Sequence, residues 1–472
     1  MPSRGLEPIQ IIPDDALSEI FLAFVAEQLQ DDVFSSTSPI MLGSVCRRWR
    51  AVTLSVPRLW TYIHHAVYEY SKFANAARTL RLFTSRSGAC PLQVFIIIND
   101  KGAGELLTEA EVIMTSDEEA HCQALVTVLA DSMTRWKYVY LKSTSDFLLR
   151  LERARPAGHS LPMLERLIID KPTWHGGWRR TTPVKLFAMA PKLRVVVFST
   201  RMEVFVGEEP SIELPYHQIE RMERTIARNT NSFLQILRIC PNLTRCNQLW
   251  LINGVDQALV SVTHPLRSLD ITFYQDSGAD FFEYAELPHL IDLRIRSLNS
   301  WGPRTLINGI TFLSRSSSLR RLVIRTEGTH MPGADLRTIL KAVPSLVDFE
   351  FVHSNTSNDT TPTTYSKELL EGLTLTALEP VLPNLRALSL LGPLVADPVA
   401  FTAMLHSRIK NSDDASQPRG AILQSLQLHI LDHTGSLTIG DLEEIQDALG
   451  DNACIRMIEC LPDRSPVFSE FL

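Results

Sequence analysis

The chain has 472 residues, of which 45% are hydrophobic and 21% are charged, and its formal net charge is −7. This length is enough for one large core or for several domains. The acidic balance, without a long basic run, argues against nucleic acid as a partner, because binding to the phosphate backbone normally needs a basic surface.

The N-terminus lacks the charged segment, apolar core and small-residue cleavage site of a secretory signal. The longest apolar run, Val94–Ile98, is too short to span a bilayer and predicts a buried strand. Seven cysteines without a C-x-x-C pair favour free thiols in a reducing compartment over a zinc site. We therefore expect an intracellular protein, in the cytoplasm, the nucleus or both, with no membrane, metal or cofactor.

The stretch Ile12–Trp60 predicts two amphipathic helices separated by a polar segment. The first helix has apolar residues at helical spacing, namely Leu17, Ile20, Phe21, Phe24 and Val25. The second is predicted to begin at Ser38-Pro39, to carry Leu42, Val45, Cys46 and Trp49, and to end before Pro57. Two short helices cannot bury this much apolar surface between themselves, so part of it is expected to need a partner.

The motifs in this stretch resemble an F-box. They are Pro13, then Ile20-Phe21-Leu22, then Val45-Cys46-Arg47-Arg48-Trp49-Arg50, and then Pro57-Arg58-Leu59-Trp60. The polar insert Gln28–Ser38 is longer than the usual loop of that family. The alternative is an unrelated amphipathic helical hairpin.

The resemblance implies docking to the Skp-type adaptor of an SCF (Skp–cullin–F-box) ubiquitin ligase. Carried over to this sequence, it assigns the adaptor contact or its support to Pro13, Leu17, Ile20, Phe21, Leu42, Val45, Cys46 and Trp49. We assign residues 1–62 to the F-box and residues 63–90, which contain a predicted helix at Tyr68–Ser87, to a helical linker.

From residue 91 onward a motif of the form L-x-x-L-x-L recurs. Its clearest copies are 164–169, 193–198, 246–251, 266–271, 290–295, 319–324, 346–351, 385–390 and 423–428. Taking the middle apolar residue, the steps from Leu249 through Leu269, Leu293 and Leu322 to Phe349 are 20, 24, 29 and 27 residues. These steps lie near the leucine-rich-repeat period.

In a short strand the alternate leucines point to one side, and stacked units bury them together. Returning helices are predicted at Gln218–Leu237, Thr305–Ser314, Ala334–Ala342, Lys367–Leu378 and Val399–Lys410. The expected fold class is therefore α/β, with an all-α N-terminal module and a degenerate leucine-rich-repeat solenoid of short parallel strands over residues 91–472. The alternative, a Rossmann-like sheet, is disfavoured because no Gly-rich phosphate loop follows a strand.

The residues between the leucines are expected on the concave side of the solenoid, where equal positions in successive repeats become neighbours. Three such lanes are predicted: Asp270, Arg294, Val323, Glu350; Thr272, Arg296, Arg325, Val352; and Asp292, Arg321, Asp348. Arg294, Arg296, Arg321 and Arg325 thus fall together and could bind an acidic or phosphorylated segment. The alternative is that these arginines and their acidic neighbours satisfy one another as exposed ion pairs.

A loop at Lys171–Pro183 contains Trp174 and Trp178, which could anchor a substrate or could pack on the solenoid. We find no catalytic pattern: His429 and His433 lack the Glu of a metalloprotease, and Asp117-Glu118-Glu119 is typical of a helix N-terminus. The predicted function is that of a non-catalytic substrate receptor, linked through the Skp-type adaptor to a cullin–RING ligase. The alternatives are a scaffold that holds the adaptor outside a ligase and a small-ligand sensor.

Overall fold

The structure of the protein is a computed structural model. It describes residues 12–28, 38–67, 69, 72–98, 115–155, 158, 160–170, 183–198, 205–206, 209–210, 212–253, 260–274, 277–298, 301–327, 331–354, 367–375, 381–394, 398–409, 421, 423–431 and 453–458. Two compact units divide the chain, the first being Met1–Met222 and the second Glu223–Leu472. Each is described by itself.

The first unit begins with three helices and continues as alternating strands and helices. Its helices are α1 (Asp14–Gln28), α2 (Ser38–Val45), α3 (Arg47–Ser55), α4 (Phe73–Arg86), α5 (Ser116–Ser132) and α6 (Ser145–Ala154). Its strands are β1 (Tyr62–Val67), β2 (Leu92–Ile98), β3 (Trp136–Lys142), β4 (Arg166–Asp170), β5 (Val195–Phe198), β6 (Phe205–Val206) and β7 (Glu209–Pro210), and β8 (Arg221–Glu223) lies at the boundary. Short 3₁₀ turns lie at Pro57–Trp60, Met133–Arg135 and Tyr216–Gln218.

Strands β1 to β5 pair in parallel, each with the next one along the chain. In β2 the alternate residues Leu92, Val94, Ile96 and Ile98 are buried, while the residues between them are half-buried. The apolar run at Val94–Ile98 is therefore a strand with one fully covered face, as its sequence predicts.

The second unit repeats the strand–helix alternation. Its helices are α7 (Thr230–Ile239), α8 (Ser277–Tyr284), α9 (Pro303–Arg315), α10 (Gly333–Lys341), α11 (Lys367–Leu373) and α12 (Pro398–Ile409). Its strands are β9 (Ile226–Asn229), β10 (Arg245–Asn253), β11 (Val262–Thr263), β12 (Ser268–Phe273), β13 (Ala285–Glu286), β14 (Asp292–Ser297), β15 (Arg321–Glu327), β16 (Asp348–Ser354), β17 (Ala387–Leu394), β18 (Ser425–Leu431) and β19 (Ala453–Ile458).

The strand register of the second unit confirms the alignment of the repeat motif. The middle apolar residues of six successive copies of the motif are direct partners across parallel strands: Leu269, Leu293, Leu322, Phe349, Leu388 and Leu426. All six are buried. Leu249 departs from this register, because a bulge in β10 around Gln248 aligns it with Ile271 instead of Leu269.

The long strands of the second unit pair in parallel in the order β10, β12, β14, β15, β16, β17, β18 and β19. This order never reverses within the paired strands, whereas a Rossmann-like sheet is built around a reversal of strand order. The fold is mixed α/β with a large parallel sheet, consistent with a solenoid. This agrees with the predicted architecture of the array.

The core of the second unit lies between the sheet and its helices. Phe281 and Phe282 of α8 contact Phe273 of β12, with ring centroids 5.8 and 5.3 Å apart. Both rings also contact Phe312 of α9, at 5.6 and 5.3 Å. The leucine face of the sheet is thus covered by the helices, and the residues between the leucines lie on the opposite face.

Most predicted return helices are present, at α9, α10, α11 and α12. Three elements differ from prediction. The second N-terminal helix is broken at Cys46 into α2 and α3; the segment 63–90 contains β1 as well as α4; and only residues from Thr230 onward in Gln218–Leu237 form a helix, α7. In that last segment β8 and β9 precede the helix.

His264 is a buried histidine that should make the second unit sensitive to acid. Its Nε2 lies 3.0 Å from the Cys240 carbonyl oxygen, and burial lowers the pKa of the ring although that hydrogen bond acts in the opposite direction. As pH falls below the unfolded-state value of about 6.5, the unfolded chain takes up a proton before the folded chain does. The folded state therefore loses stability under acid.

We expect the free energy of unfolding to fall more steeply between pH 7 and pH 5 in the wild type than in His264→Gln, as measured by urea denaturation at each pH. Equal slopes for the wild type and His264→Gln would contradict the role given to this ring.

Candidate protein-interaction sites

The helical module, defined as α1, α2, α3 and the turn Pro57–Trp60, has a small interior. Leu17 and Phe21 of α1 and Leu42 of α2 are buried in it. The Phe21 ring packs edge-on against the half-buried Trp49 ring of α3, with centroids 4.8 Å apart. These side chains hold the three helices together.

Polar contacts fix the ends of the helices in this module. Arg48 donates from Nε and Nη2 to Asp14 Oδ1 at 2.9 and 2.7 Å, and also donates to the Ile12 carbonyl oxygen. Cys46 caps α3, because its Sγ accepts a hydrogen bond from the Trp49 amide at 3.4 Å. The cap explains why the predicted single helix is broken at this cysteine, whose backbone is extended.

The module also carries large apolar side chains that point into solvent. They are Ile20 at 50% exposure, Ile40 at 42%, Met41 at 52%, Val45 at 61% and Leu54 at 46%. Met41 and Val45 are one turn apart and therefore share a face of α2. We call these five residues the outward apolar set.

The predicted adaptor residues divide between the interior and the surface. Leu17, Phe21 and Leu42 are buried, Trp49 is half-buried, and Pro13, Ile20, Val45 and Cys46 are exposed. The buried residues can only support a contact, whereas the exposed ones can make it. The sequence reasoning missed Ile40, Met41 and Leu54. The i, i+4 spacing between Met41 and the predicted contact residue Val45 was the signal that could have found Met41.

Trp60 attaches the module to the first repeat. Its indole Nε1 donates to the Thr53 carbonyl oxygen at 2.9 Å, and its ring contacts the Phe83 ring of α4 edge-on at 5.1 Å. The Arg86 guanidinium lies 4.4 Å from the centroid of the same indole. Buried contacts on both sides of one tryptophan make α4 and the module a single packed body within the first unit.

The three predicted lanes of the second unit have the expected register. Asp270, Arg294, Val323 and Glu350 are successive partners, as are Thr272, Arg296, Arg325 and Val352, and as are Asp292, Arg321 and Asp348. Since all lie between buried leucine positions, they share the face away from the helices. We call the part that carries Arg294, Arg296, Arg321 and Arg325 the arginine face.

Each arginine of this face lies near a carboxylate. Arg321 Nε is 3.3 Å from Asp348, and Arg325 Nη2 donates to Glu350 at 3.1 Å. Arg294 Nε and Arg296 Nε approach Asp292 and Glu327 only to 3.6 and 3.8 Å. The mutual neutralisation is therefore tight for Arg321 and Arg325 and loose for Arg294 and Arg296.

Burial acts on the carboxylates of the arginine face. It raises the pKa of Asp270, against the opposing effect of Arg294, Arg296 and Arg325. Burial also raises the pKa of Asp348, against the opposing effect of Arg321. These groups lie at a partly desolvated surface, where electrostatic contacts are stronger than in free solvent.

Trp174 and Trp178 lie outside the described residues, as does His433. Glu118 forms a capping box with Thr115 at the start of α5, which agrees with the predicted helix N-terminus. Among the described residues we find no group of three or more His, Cys, Asp or Glu side chains placed to hold a metal ion.

Comparison with known proteins adds little to this geometry. No protein-family model matches the chain, and no curated protein matches it. A solved structure of a Bacteroides fragilis protein, a structural-genomics target, aligns with 52% of this chain and 80% of its own length, at 12% identity and a TM-score of 0.26. A likeness at that TM-score carries no argument about function. In the described part of the chain, no helix has the length and apolarity needed to cross a membrane.

Proposed function

We propose that the chain is the substrate-recognition subunit of an SCF-type ubiquitin ligase. In this role the helical module binds a Skp-type adaptor, and the strand–helix array binds a protein substrate. The observation that carries the proposal is the outward apolar set, which exposes Ile20, Met41 and Val45 on helices whose interior is already filled.

An exposed apolar side chain is ordinary when it stands alone, but several on one small module are typical of an interaction surface. The interior of the module does not need these five side chains, since Leu17, Phe21, Leu42 and Trp49 already close it. The F-box motifs include Ile20 and Val45, so the resemblance and the exposure point to the same surface. The partner is therefore expected to cover α1 and α2 with an apolar surface of its own.

The strand–helix array has features that suit the proposed binding of a protein substrate. Successive parallel strands place one side chain per repeat in a continuous row, which suits the binding of an extended protein segment. The packing of Trp60 against α4 supports a fixed geometry between adaptor and array within the first unit. A ligase needs this fixed geometry, because the bound substrate must be presented at a defined position.

Hydroxyl-radical footprinting tests the proposal with an internal control. Met41 and Met189 are 52% and 58% exposed, so both thioethers should oxidise readily in the free chain. On addition of a purified Skp-type adaptor, we expect the oxidation rate of Met41 to fall several-fold while that of Met189 stays unchanged. Unchanged oxidation of Met41 in the presence of saturating adaptor would overturn the proposed contact.

A further inference from the structure

The arginine face contains a pair of like charges that the fold itself does not require. Arg296 of β14 and Arg325 of β15 are direct partners in register, and their side chains are 37% and 42% exposed. Like charges directly opposite each other on neighbouring strands destabilise a sheet. The other two members of this lane, Thr272 and Val352, carry no charge. The carboxylates that offset the repulsion lie outside the lane, namely Glu350 beside Arg325, Glu327 at 3.8 Å from Arg296, and Asp270.

The neighbouring lane shows the opposite arrangement. There Asp292, Arg321 and Asp348 alternate in sign across three strands. That lane is self-neutralising, as expected of exposed ion pairs. In the lane of Arg296 and Arg325, by contrast, the two charges are alike and the neighbouring carboxylates lie outside the lane.

Arg296 has weaker polar contacts within the fold than Arg325 does. Arg325 donates to Glu350 at 3.1 Å, but Arg296 reaches Glu327 only through Nε at 3.8 Å, which is beyond hydrogen-bond distance. Over the described residues, no hydrogen bond involves the Arg296 guanidinium. Its guanidinium N–H groups can therefore donate hydrogen bonds to a ligand, and they lie beside a second arginine.

Apolar side chains lie near the carboxyl ends of β10, β12 and β14, which are the strand of Arg296 and the two strands on its side away from Arg325. Tyr274 follows β12 two residues after Thr272, the partner of Arg296, and is 45% exposed. Ile252 of β10 is exposed as well, and Leu298, just after β14, is half-buried. A segment lying over the lane would meet arginine donors on one side and an apolar edge on the other.

We propose that Arg296 and Arg325 bind an oxyanionic side chain of the substrate, carboxylate or phosphate, and that Tyr274 and Ile252 bind an apolar side chain next to it. An oxyanion between the two guanidinium groups accepts hydrogen bonds from Arg296 and relieves the repulsion from Arg325. This inference rests on the proposed function, since it names the class of segment that the substrate receptor would take. It assigns the binding contact to Arg296 and Arg325, and leaves Arg321 a structural role.

Random peptide libraries passed over the immobilised full-length chain test the inference. Three libraries differ only in the fixed central residue, which is Ser, Glu or phosphoserine. We expect at least tenfold greater retention of the Glu or the phosphoserine library than of the Ser library, with apolar residues enriched one or two positions from the fixed residue. The comparison of Glu with phosphoserine distinguishes the two sources of the oxyanion.

Three variants locate the site. Arg296→Gln should remove the tenfold preference, and Tyr274→Ser should remove the apolar enrichment while keeping the preference for the anion. Arg267→Gln, an exposed arginine just before β12, is the matched control and should behave as the wild type.

Equal retention of the three libraries by the wild type would overturn the inference. So would an equal loss in Arg296→Gln and Arg267→Gln, which would show a general charge effect. Adaptor binding by the same Arg296→Gln sample should be unchanged, because that contact lies in the first unit. Failure of the peptide site is thereby separable from failure of the proposed function.

Discussion

Replacing Arg408 with methionine is expected to lower the free energy of unfolding of the second unit by about 3 kcal/mol or more. Arg408 lies at the end of α12 with only 1% of its surface exposed. Its guanidinium donates to three backbone carbonyl oxygens, those of Leu373 at 2.6 Å, Val381 at 2.8 Å and Leu382 at 3.2 Å. Methionine fills a similar volume but leaves all three carbonyls without this donor.

The charge of Arg408 is held by carbonyl dipoles, since no carboxylate lies within ion-pair distance among the described residues. Burial lowers the pKa of its guanidinium to about 10, so the group stays protonated at neutral pH. The three contacts tie α12 to the end of α11 and to the residues before β17, which keeps neighbouring repeats together. Loss of one side chain should therefore weaken two repeats at once.

Urea denaturation measures this effect against a matched control. Arg304 of α9 is 63% exposed and pairs with Asp280 and Glu283, so Arg304→Met should cost about 1 kcal/mol or less. Arg408→Lys keeps the charge and part of the donor set, and should lie between the two. Equal midpoints for Arg408→Met and Arg304→Met would show that the buried contacts contribute nothing.

Much of the fold was predictable because the repeat motif is a local sequence signal. Each L-x-x-L-x-L copy fixes which residues of a short strand are buried, and the parallel register then follows from stacking equivalent positions. This is why the lanes through Arg294, Arg296 and Arg321 were predicted correctly. The register failed at Leu249, where the bulge at Gln248 adds residues that no periodicity can show.

Features that depend on tertiary contacts could not be predicted. The break at Cys46 follows from a cap formed by a thiol, a residue type that sequence rules do not place among the usual caps. Arg408 has the sequence signature of an ordinary basic residue in the last turn of a helix, and only the approach of two other segments buries it. Ile20 and Val45 of the outward apolar set were predicted as contact residues, but the periodicity of α1 does not tell which side of its apolar stripe faces the other helices and which faces outward.

The second large effect concerns the adaptor. Substituting Ile20→Asp together with Val45→Asp should weaken binding of a Skp-type adaptor by about 1,000-fold, since each of the two apolar anchors contributes on the order of 2 kcal/mol. A carboxylate at either position would also have to be desolvated in the interface. Both side chains are exposed in the free chain, so the helical module should fold as before.

The control uses the same residue types at comparable exposure in the second unit, namely Ile307 at 63% and Val260 at 70%. Ile307→Asp with Val260→Asp matches the adaptor variant in charge and in the chemistry of the change. Circular dichroism of both double variants should match that of the wild type. Any difference in adaptor binding can then be assigned to position.

The direct test is the dissociation constant of the purified full-length chain for a Skp-type adaptor, measured by calorimetry for the wild type and both double variants. We expect a tight complex for the wild type and for Ile307→Asp/Val260→Asp, and an affinity about 1,000-fold lower for Ile20→Asp/Val45→Asp. Equal affinity in all three, or no affinity in the wild type, would contradict the proposed adaptor contact.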